Sequence, residues 1–537
     1  MEKIKTGAQL LVETFEKMGV ETVFGIPGVH NLKIYDALIK SKINHITTRN
    51  ESGAGFMADG YGRKTGKPGT AIVISGPGLI NILTPMGQAY LDSVPMVVIS
   101  SQLPTSIMNQ SLGSLHELKN STIMAGSVAK ESRTVPSVDL IETYVAEAYK
   151  LAVTGRPGPV HIEIPLDLLA EEAIVEKNFE LSITKSCGVY DETIKQATEM
   201  INNADRVSII VGGGAVDATV EVRELIERIS APTVQTCAGK GVVSDKCELS
   251  LGARLHYENI RQYIEKSDIV IALGTQLSPT DLWENSLKLT GKLIQVDVTN
   301  DAFYKNVKAD FGVKGDCKEV IKKMLPLLEK KKNVDLNELN KMKLDATQMG
   351  PLVTDNDKTF EMAVEVLNVF RNVLKDDEAL VADMTTPAYV AISEYETYDS
   401  RTFLHPVGFG TLGYSMPAAI GAKVAQPHKN LIALIGDGGF QFTMQELAVA
   451  CEQNLSIPIV IWNNGGYGEI KRNEAAMGFS SFIAVDNQNP DFMKLADSYG
   501  IEGVKPVNKN QLKEVLLKSF NKEKPTLIEI NVNKWGR

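Results

Sequence analysis

The sequence has few cysteines, no long uncharged apolar run and no excess of positive charge. Its five cysteines are scattered through 537 residues without a C-x-x-C pair, which argues against a disulfide framework or a thiolate zinc site and favours a reducing compartment. No continuous apolar run approaches the roughly 18 residues that a membrane span requires, because the longest uncharged stretches are interrupted by glycine, proline and polar residues. The 66 acidic and 56 basic residues give a net charge of −10, so no overall positive field attracts nucleic acid. We therefore expect a cytoplasmic protein that binds neither a membrane nor a nucleic acid.

Short apolar runs rich in β-branched residues recur along the chain, each bounded by glycine or proline and separated by stretches with helical periodicity. This alternation is typical of parallel sheets whose two faces are covered by helices. The clearest runs are Thr70–Ser75, Met96–Ser100, Val160–Ile164, Val207–Val211, Ile269–Leu273, Leu293–Val298, Leu431–Ile435, Ile457–Trp462 and Thr526–Ile530. The sequence therefore predicts an α/β protein with mostly parallel, doubly wound sheets.

Two stretches interrupt this alternation and suggest domain boundaries. Residues 169–190 lack a strong period, and residues 329–357 are charged and rich in lysine. A chain of 537 residues fits three domains of about 100–200 residues each. We predict domains at 1–170, 190–330 and 358–537, joined by linkers in these two stretches.

The first and third predicted domains repeat a local pattern. In residues 66–101 and again in residues 426–464, an apolar strand runs into a glycine turn, a helix follows, and a second strand begins at a proline. Each domain also ends with a similar strand, in Gly155–Pro165 and Glu523–Asn531. The shared order of these features favours a duplicated βαβ architecture over chance.

The middle domain has a glycine loop of its own, Gly212–Ala215, directly after the apolar run Val207–Val211. Such a loop can hold a nucleotide phosphate at a helix N-terminus. It can equally be a tight turn between a strand and a helix, and a single glycine loop does not separate these two interpretations. We favour the tight turn.

The strongest chemical signal lies in the third domain, where two predicted strands end in polar residues. One strand leads into Asp437 within the sequence GDGG, and the next leads into Asn464 within NNGG, 27 residues later. In a right-handed βαβ unit both strand ends emerge at the same edge of the sheet, so the two side chains can lie side by side. A carboxylate, an amide oxygen and a backbone carbonyl form an incomplete oxygen cage that suits Mg²⁺ together with phosphate oxygens and water. The neighbouring glycines let backbone N–H groups approach a diphosphate.

This arrangement, together with segments spread over nearly the whole chain, resembles the thiamine diphosphate enzymes, in the branch of the acetolactate synthases and 2-oxo acid decarboxylases. The resemblance implies a pyrimidine-binding domain, a middle Rossmann-like domain and a diphosphate-binding domain, in that order. It implies that Asp437, Asn464 and the Gly466 carbonyl hold Mg²⁺. It also implies that the cofactor is contacted by Gly436, Gly438 and Gly439. Because the cofactor lies between subunits in this family, we expect a homodimer or a homotetramer.

The segment Arg49–Tyr61 is similar to the one that contains the family's catalytic glutamate, which makes Glu51 the candidate. Taken alone, a glutamate there would be interpreted as a surface acid at a helix start. The resemblance implies that this acid favours the imino form of the cofactor's aminopyrimidine ring, whose nitrogen then takes the proton that leaves when the ylid forms. A partly buried glutamate with a raised pKa would suit this task.

Two further segments match parts of the family that contact the cofactor. Within Gly408–Ala422, Leu412 matches the bulky apolar residue that supports the bent form of the cofactor, although a leucine between glycines is more often part of a core. Thr385 and Thr386 follow the predicted strand that ends at Asp383, and they match a turn that contacts the diphosphate.

The sequence departs from the acetolactate synthases in four places. The glutamine–histidine pair usual in that family is absent from the turn that contains Thr385 and Thr386. The phenylalanine–glutamine pair of that family is replaced by Leu115 and His116, and the tryptophan expected near position 473 is absent. The middle domain has Gly274–Trp283 in place of an arginine- and aspartate-rich flavin motif. These differences make it doubtful that the middle domain binds FAD or any other nucleotide. They also make an acetolactate-forming pocket doubtful.

The same segments are similar to those of the decarboxylases that act on 2-oxoarginine. A cationic substrate tail needs a desolvated acid as its partner, since an unpaired buried charge is costly. The candidates are Asp281, Glu284 and Glu469, each of which has a solvated loop acid as its alternative. His116 is either a proton donor in the reaction or a capped loop histidine.

We therefore expect a non-oxidative 2-oxo acid decarboxylase that depends on thiamine diphosphate and Mg²⁺ and works through ylid and enamine intermediates. A polar or basic substrate such as 2-oxoarginine fits the departures best. The alternative is the catalytic subunit of an acetolactate synthase, which condenses two 2-oxo acids, and only this alternative brings a small regulatory subunit. The retention of Glu51 argues against a non-catalytic homologue.

Overall fold

The structure is a computed structural model that describes residues 3–175, 188–283, 286–332, 334–348 and 357–536. Three parallel sheets follow one another along the chain, with six, five and six strands, and helices alternate with the strands. The predicted α/β class is therefore confirmed. None of the helices described here combines the length and the apolar character needed to cross a lipid bilayer.

The N-terminal unit holds the first six-stranded sheet. Its strands are β1 (Lys3–Thr6), β2 (Thr22–Gly25), β3 (Asn44–Thr47), β4 (Gly69–Val73), β5 (Met96–Gln102), β6 (Glu131–Thr134), β7 (Pro159–Pro165) and β8 (Glu172–Val175). Its helices are α1 (Gly7–Lys17), α2 (Leu32–Leu38), α3 (Glu51–Thr65), α4 (Pro77–Leu91), α5 (Ser121–Gly126), α6 (Ile141–Val153) and α7 (Leu166–Ala170). The parallel strands lie in the order β3-β2-β4-β5-β7-β6, while β1 and β8 form a separate antiparallel ribbon. Strands β4, β5 and β7 are buried throughout, which explains why apolar residues predominate in them.

The middle unit holds a five-stranded parallel sheet. Its strands are β9 (Val207–Val211), β10 (Thr233–Gln235), β11 (Ile269–Leu273), β12 (Lys292–Asp297) and β13 (Phe311–Lys314). Its helices are α8 (Asp191–Asn202), α9 (Thr219–Ile229), α10 (Glu258–Glu265), α11 (Pro279–Leu282), α12 (Cys317–Met324) and α13 (Leu336–Gln348). The strand order is β10-β9-β11-β12-β13.

Helix α13 lies in a stretch that the sequence predicts to be a linker, and that part of the prediction is wrong. Leu339 and Ala346 are fully buried, and they pack with residues of α10 and the adjacent sheet face. Apolar residues at helical spacing were present in the stretch, but the surrounding lysines and acids masked the period. The middle unit therefore extends beyond the predicted boundary at residue 330.

The C-terminal unit holds the second six-stranded sheet. Its strands are β14 (Ala379–Ala382), β15 (Phe403–Leu404), β16 (Leu431–Gly436), β17 (Pro458–Asn463), β18 (Glu502–Val504) and β19 (Thr526–Asn531). Its helices are α14 (Asp357–Val373), α15 (Thr386–Glu394), α16 (Ser415–Ala425), α17 (Asp437–Thr443), α18 (Leu447–Glu452), α19 (Gly468–Ala476), α20 (Phe492–Ser498) and α21 (Lys509–Ser519). The strand order is β15-β14-β16-β17-β19-β18.

The first and last sheets have the same topology. Counted from β2 in one sheet and from β14 in the other, both place their strands in the order second, first, third, fourth, sixth, fifth. The two domains that share the local sequence pattern therefore also share their complete strand order. This agreement supports the predicted duplication of one architecture.

Helices α3 and α16 join the N-terminal and C-terminal units through direct contact between their backbones. A Cβ atom at Gly60 would lie 2.0 Å from the carbonyl oxygen of Ala418, and one at Gly421 would lie 1.9 Å from that of Met57. Any side chain larger than hydrogen would overlap these main-chain atoms. The two helices can approach this closely only because glycine occupies both positions.

A buried polar network lies beside this contact. Arg63 donates to Asp59 and to Asp92, each at 2.6 Å, and the Tyr414 hydroxyl donates to Asp59 at 2.8 Å. The backbone N–H of Gly408 donates to Asp92 at 2.7 Å. Because burial raises the pKa of Asp59 while the Arg63 charge lowers it, the pair depends on its partners remaining in place.

We expect the substitution Gly421→Ala to destabilise the protein by about 3 kcal/mol, because the new methyl group meets a main-chain oxygen that cannot rotate away. Gly126→Ala is the matched control, since a Cβ atom at this helix end would be 3.8 Å from its nearest neighbour among the described residues, Ser132. Thermal unfolding of parent and variants measures the effect. Equal melting temperatures for the two variants would contradict the assigned contact.

Candidate active site

Three neighbouring strands of the C-terminal sheet end in polar residues at one edge. Strands β14, β16 and β17 are adjacent, and they are followed by Asp383, Asp437 and Asn464. Asp437 is only 1% exposed and begins α17. The sequence prediction that Asp437 and Asn464 lie side by side agrees with this geometry.

The side-chain amide of Asn464 lies between Asp437 and the backbone of Gly466. One of its terminal atoms is 3.1 Å from Asp437 Oδ1 and 2.9 Å from the Gly466 carbonyl oxygen. With nitrogen in this position the amide donates two hydrogen bonds; with oxygen there, three oxygens converge and a cation would stabilise them. Octahedral Mg²⁺ with ligands at about 2.1 Å holds adjacent oxygens about 3 Å apart, and the distances from the Asn464 amide to Asp437 and to Gly466 both match this spacing.

The second carboxylate oxygen of Asp437 is already occupied. Asn489 donates to Asp437 Oδ2 at 2.5 Å and to Asn463 Oδ1 at 3.1 Å, while Gln441 donates to Asn489 at 3.0 Å. Burial raises the pKa of Asp437. These contacts fix the carboxylate so that Oδ1 faces Asn464. Asn489 belongs to no recognisable motif, so its role could not be predicted from the sequence.

The backbone turn at Gly466 is shaped by glycine. Its φ angle is +153°, and a Cβ atom there would lie 2.0 Å from the carbonyl oxygen of Val485. Among the residues that the structure places, no three His, Cys, Asp or Glu side chains cluster as a metal site. A cation at this edge would therefore depend on amide and carbonyl oxygens as well as on the carboxylate.

The glycines of the GDGG turn lie against neighbouring side chains. A Cβ atom at Gly438 would be 2.8 Å from the Tyr467 ring, and one at Gly436 would be 3.1 Å from Thr385 Oγ1. Thr385 is buried, and Thr386 begins α15 beside it. The predicted glycines and threonines are thus brought together at one end of the sheet, with backbone N–H groups at the start of α17.

Asp383 connects this edge to the segment that contains Leu412. The backbone N–H groups of Gly413 and Ser415 donate to its carboxylate at 3.2 and 2.8 Å. Burial raises the pKa of Asp383 to about 6. Leu412 is half-buried next to these donors, and Gly439 approaches the carboxylate from α17, since a Cβ atom there would lie 3.1 Å from it.

Glu51 is in the N-terminal unit, where it is the first residue of α3. The Asn50 side chain caps this helix by accepting from the backbone N–H of Ser52 at 2.9 Å. Asn81 donates to Glu51 Oε2 at 2.9 Å, so the carboxylate faces the first turn of α4. Within the described ranges no hydrogen bond or ion pair joins Glu51 to the residues at the edge of the C-terminal sheet.

His116 lies beside the turn that leads into α4. A Cβ atom at Gly76 would be 2.7 Å from the His116 carbonyl oxygen, and His116 itself has a φ of +65°. Its ring contacts His30 edge-on at 5.0 Å, and its Nδ1 is buried with no hydrogen-bond partner in the described part of the chain. His30 Nδ1 pairs with Ser75 Oγ at 2.7 Å. His116 and Glu51 therefore flank the same turn.

His30 was not identified by the sequence analysis. Burial and the neighbouring His116 lower its pKa. Nothing in the local sequence distinguishes this histidine, because its partners come from distant parts of the chain.

The candidate substrate acids lie in different surroundings. Glu469 forms an ion pair with Arg472, and its backbone carbonyl accepts from Asn473. Asp281 accepts from Ser278 at 3.1 Å, and burial raises its pKa to about 6. No hydrogen bond or ion pair connects Asp281 with Glu469 in the residues described. Glu284 lies outside those residues.

Asp281 lines a cavity of about 320 Å³ between the three units. The cavity opens at the carboxyl ends of β9, β11 and β12, where Gly213, Gly274 and Asp297 line it. The predicted glycine loop forms a tight turn here, because a Cβ atom at Gly212 would lie 2.4 Å from the Gly274 carbonyl oxygen. Contact between two turns explains this glycine without any ligand.

The chain is similar to known proteins along most of its length. Three family models match the chain: the N-terminal TPP binding domain of thiamine pyrophosphate enzymes at residues 5–123, their central domain at 194–324 and their C-terminal TPP binding domain at 383–530. The chain belongs to the thiamine pyrophosphate enzyme family. The expected enzyme class, a thiamine diphosphate-dependent 2-oxo acid decarboxylase or acetolactate synthase-like enzyme, is confirmed.

Members of this family resemble the chain over nearly its full length. A "Probable 2-ketoarginine decarboxylase" of Pseudomonas aeruginosa is 36% identical over 98% of this chain and 94% of its own. The acetolactate synthase large subunit of Lactococcus lactis is 32% identical over 99% and 94%. A "Probable acetolactate synthase large subunit" of Methanococcus aeolicus is 31% identical over 98% and 92%. The predicted resemblance to both groups is confirmed.

Proposed function

We propose that this thiamine pyrophosphate enzyme catalyses the Mg²⁺-dependent, non-oxidative decarboxylation of a 2-oxo acid with a polar or basic side chain, such as 2-oxoarginine. The observation that carries the proposal is the convergence of three groups, the Asp437 carboxylate, the Asn464 amide and the Gly466 carbonyl, at the edge of the C-terminal sheet. The similarity to a relative named as a 2-ketoarginine decarboxylase supports the substrate class.

The residues of this edge would hold the diphosphate end of the cofactor. Asp437, Asn464 and the Gly466 carbonyl would bind Mg²⁺. The cofactor would be contacted by Thr385, Thr386, Leu412, Gly436, Gly438 and Gly439. When bound, thiamine diphosphate supplies a nucleophilic carbon and an electron sink for decarboxylation. The protein contributes fixed N–H donors and a buried carboxylate that match a metal–diphosphate group.

Glu51 would hold and transfer a proton at the aminopyrimidine ring of the cofactor. Asn81 orients its carboxylate, and the cap at Asn50 fixes the main chain before it. His116 would donate a proton later in the reaction. Its buried Nδ1 has no hydrogen-bond partner among the described residues, which supports a role in which a bound molecule supplies that partner.

We propose that the active site forms between two copies of the chain, in a homodimer or a homotetramer. Among the described residues of one chain, no hydrogen bond or ion pair joins Glu51 to Asp437, Asn464 or Gly466. Apolar side chains near both are exposed, including Ile80 at 48%, Phe442 at 54% and Phe409 at 46%. A second copy that covered them would bring Glu51 of one chain towards Asp437 of the other.

Asp281 and Glu469 are the proposed partners of a cationic substrate tail. Glu469 is already paired with Arg472, so a guanidinium group would have to compete with that ion pair. Within the described part of the chain, the side-chain partner of Asp281 is Ser278, a neutral group. It would therefore gain more from a buried cation than Glu469 would.

We propose a cytoplasmic location, which the thiols support. The four described cysteines are unpaired. Burial raises the pKa of the Cys237 and Cys317 thiols, so both stay protonated and unreactive at neutral pH. None of them is needed for the proposed chemistry.

The second candidate is an acetolactate synthase catalytic subunit, which the full-length similarity to two such relatives favours. This alternative would bring a second 2-oxo acid into the site and a small regulatory subunit into the complex. The departures from that family at His116 and in Gly274–Trp283 argue against it.

Incubation with thiamine diphosphate, Mg²⁺ and a panel of 2-oxo acids should give, from 2-oxoarginine, an aldehyde one carbon shorter. Mass spectrometry identifies the product, and pyruvate in the same panel tests for acetolactate. Acetolactate as the main product, with no aldehyde from the longer acids, would instead establish the second candidate.

Glu51→Gln should lower kcat by about 100- to 10,000-fold, the usual contribution of a positioned acid or base. Thiamine diphosphate affinity should change much less, because the diphosphate is held elsewhere. Glu21→Gln, at an exposed acid of the same unit, is the control. Parent-like turnover in Glu51→Gln would remove Glu51 from the mechanism.

Asn464→Ala should weaken Mg²⁺ binding about 10- to 100-fold, since one interaction with a charged group contributes about 1.5–3 kcal/mol. Fluorescence of the nearby buried Trp462 can follow Mg²⁺ titration at saturating thiamine diphosphate. Asn510→Ala, at an exposed residue of α21, should bind Mg²⁺ like the parent. Equal affinity in both variants would exclude Asn464 as a ligand.

A further inference from the structure

Glu446 is a fully buried acid that the proposed mechanism does not use. It is the last residue of a short 3-10 turn, Met444–Glu446, between α17 and α18, and its exposed fraction is 0%. Both of its carboxylate oxygens accept from the backbone N–H of Arg49, each at 3.1 Å. The side chain therefore reaches from the C-terminal unit into the N-terminal unit.

The segment that Glu446 holds leads directly into Glu51. Arg49 and Asn50 precede it, and Asn50 caps α3. A Cβ atom at Gly53 would lie 2.4 Å from the Glu446 carboxyl carbon, so glycine is the residue that leaves room for the acid. The Glu446 carboxyl group thus packs against the first turn of α3, where the N–H groups of the helix favour an acceptor.

The charges around Glu446 couple it to the same segment. Burial raises the pKa of Glu446 to about 7, backbone hydrogen bonds from Arg49 and Asn50 and the Arg49 charge lower it, and Glu51 raises it. The Arg49 side chain itself pairs with Glu452 on α18. Glu446 therefore changes its charge near neutral pH, beside Glu51.

We propose that Glu446 is a positioning residue for Glu51: by accepting from the main chain at Arg49 across the boundary between the two units, it fixes where the Glu51 carboxylate points. This proposal rests on the proposed role of Glu51. Glu446 positions only the loop that precedes Glu51, because Asp437 and Asn464 are held by other contacts.

Amide hydrogen exchange in the chain without cofactor tests the contact itself. In Glu446→Ala, the amides of residues 49–52 should exchange at least about tenfold faster than in the parent, because the acceptor is lost. Glu446→Gln keeps an oxygen at this position and should retain most of the protection. Glu452→Gln, which removes only the partner of the Arg49 side chain, is the control. Unchanged exchange in Glu446→Ala would overturn the proposal.

Steady-state kinetics test the consequence. Glu446→Ala should lower kcat about 10- to 100-fold with KM within about threefold, as expected when a reacting group is misplaced, and Glu446→Gln should recover most of this loss. Gly53→Ala, which crowds the carboxyl group, should reproduce the defect if Glu446→Ala does not fold. An equal loss in the Gln and Ala variants would overturn the proposal. Parent-like activity in Glu51→Gln would instead refute the proposed role of Glu51.

The melting temperature provides a readout that depends on the acid itself. The pKa of Glu446 is about 7 in the folded chain against an ordinary 4.5, so the folded state binds the proton more tightly than the unfolded state. Raising the pH from about 5 to about 8 should therefore destabilise the parent relative to Glu446→Gln, because the loss continues until the pH has passed through the folded-state pKa of about 7, and no further change should follow above about pH 8. A pH-independent difference would contradict a buried acid at this position.

Discussion

The contact between helices α3 and α16 is the constraint on which the rest of the site depends. Each helix leads away from one half of the proposed chemistry: α3 begins at Glu51, and α16 follows the segment of Leu412. Because Gly60 and Gly421 allow the backbones to touch, the two sheets are held at a fixed separation. The Arg63 network and the Glu446 carboxylate lie at the same boundary between the N-terminal and C-terminal units. A small change in the distance between these units would leave buried charges unpaired.

Much of the fold and the centre of the site could be predicted from the sequence, because both depend on local patterns. Buried parallel strands are continuous apolar runs, so Val207–Val211 and Ile269–Leu273 were located to the residue. The adjacency of Asp437 and Asn464 follows from the geometry of one βαβ unit. The shorter edge strands, such as β15 and β18, have too few residues to give a period.

The residues that the sequence analysis missed are held by partners from distant parts of the chain. Asn489 supports Asp437 from a loop without a motif, His30 contacts His116 across two loops, and Glu446 meets Arg49 between units. Periodicity and spacing describe neighbours along the chain, so they give no information about such pairs. Helix α13 was missed for a different reason: its buried leucine and alanine positions are hidden among charged residues.

The bond between Glu446 and Arg49 joins residues 397 positions apart. The N-terminal sheet consists of contacts within its own unit and can form while later residues are still being synthesised, since domains generally fold as units. The main chain before Glu51 gains its acceptor only after the C-terminal unit has folded and docked. The surroundings of Glu51 are therefore completed late in folding. A chain that lacks the C-terminal unit contains Glu51 but not the contact that fixes its position.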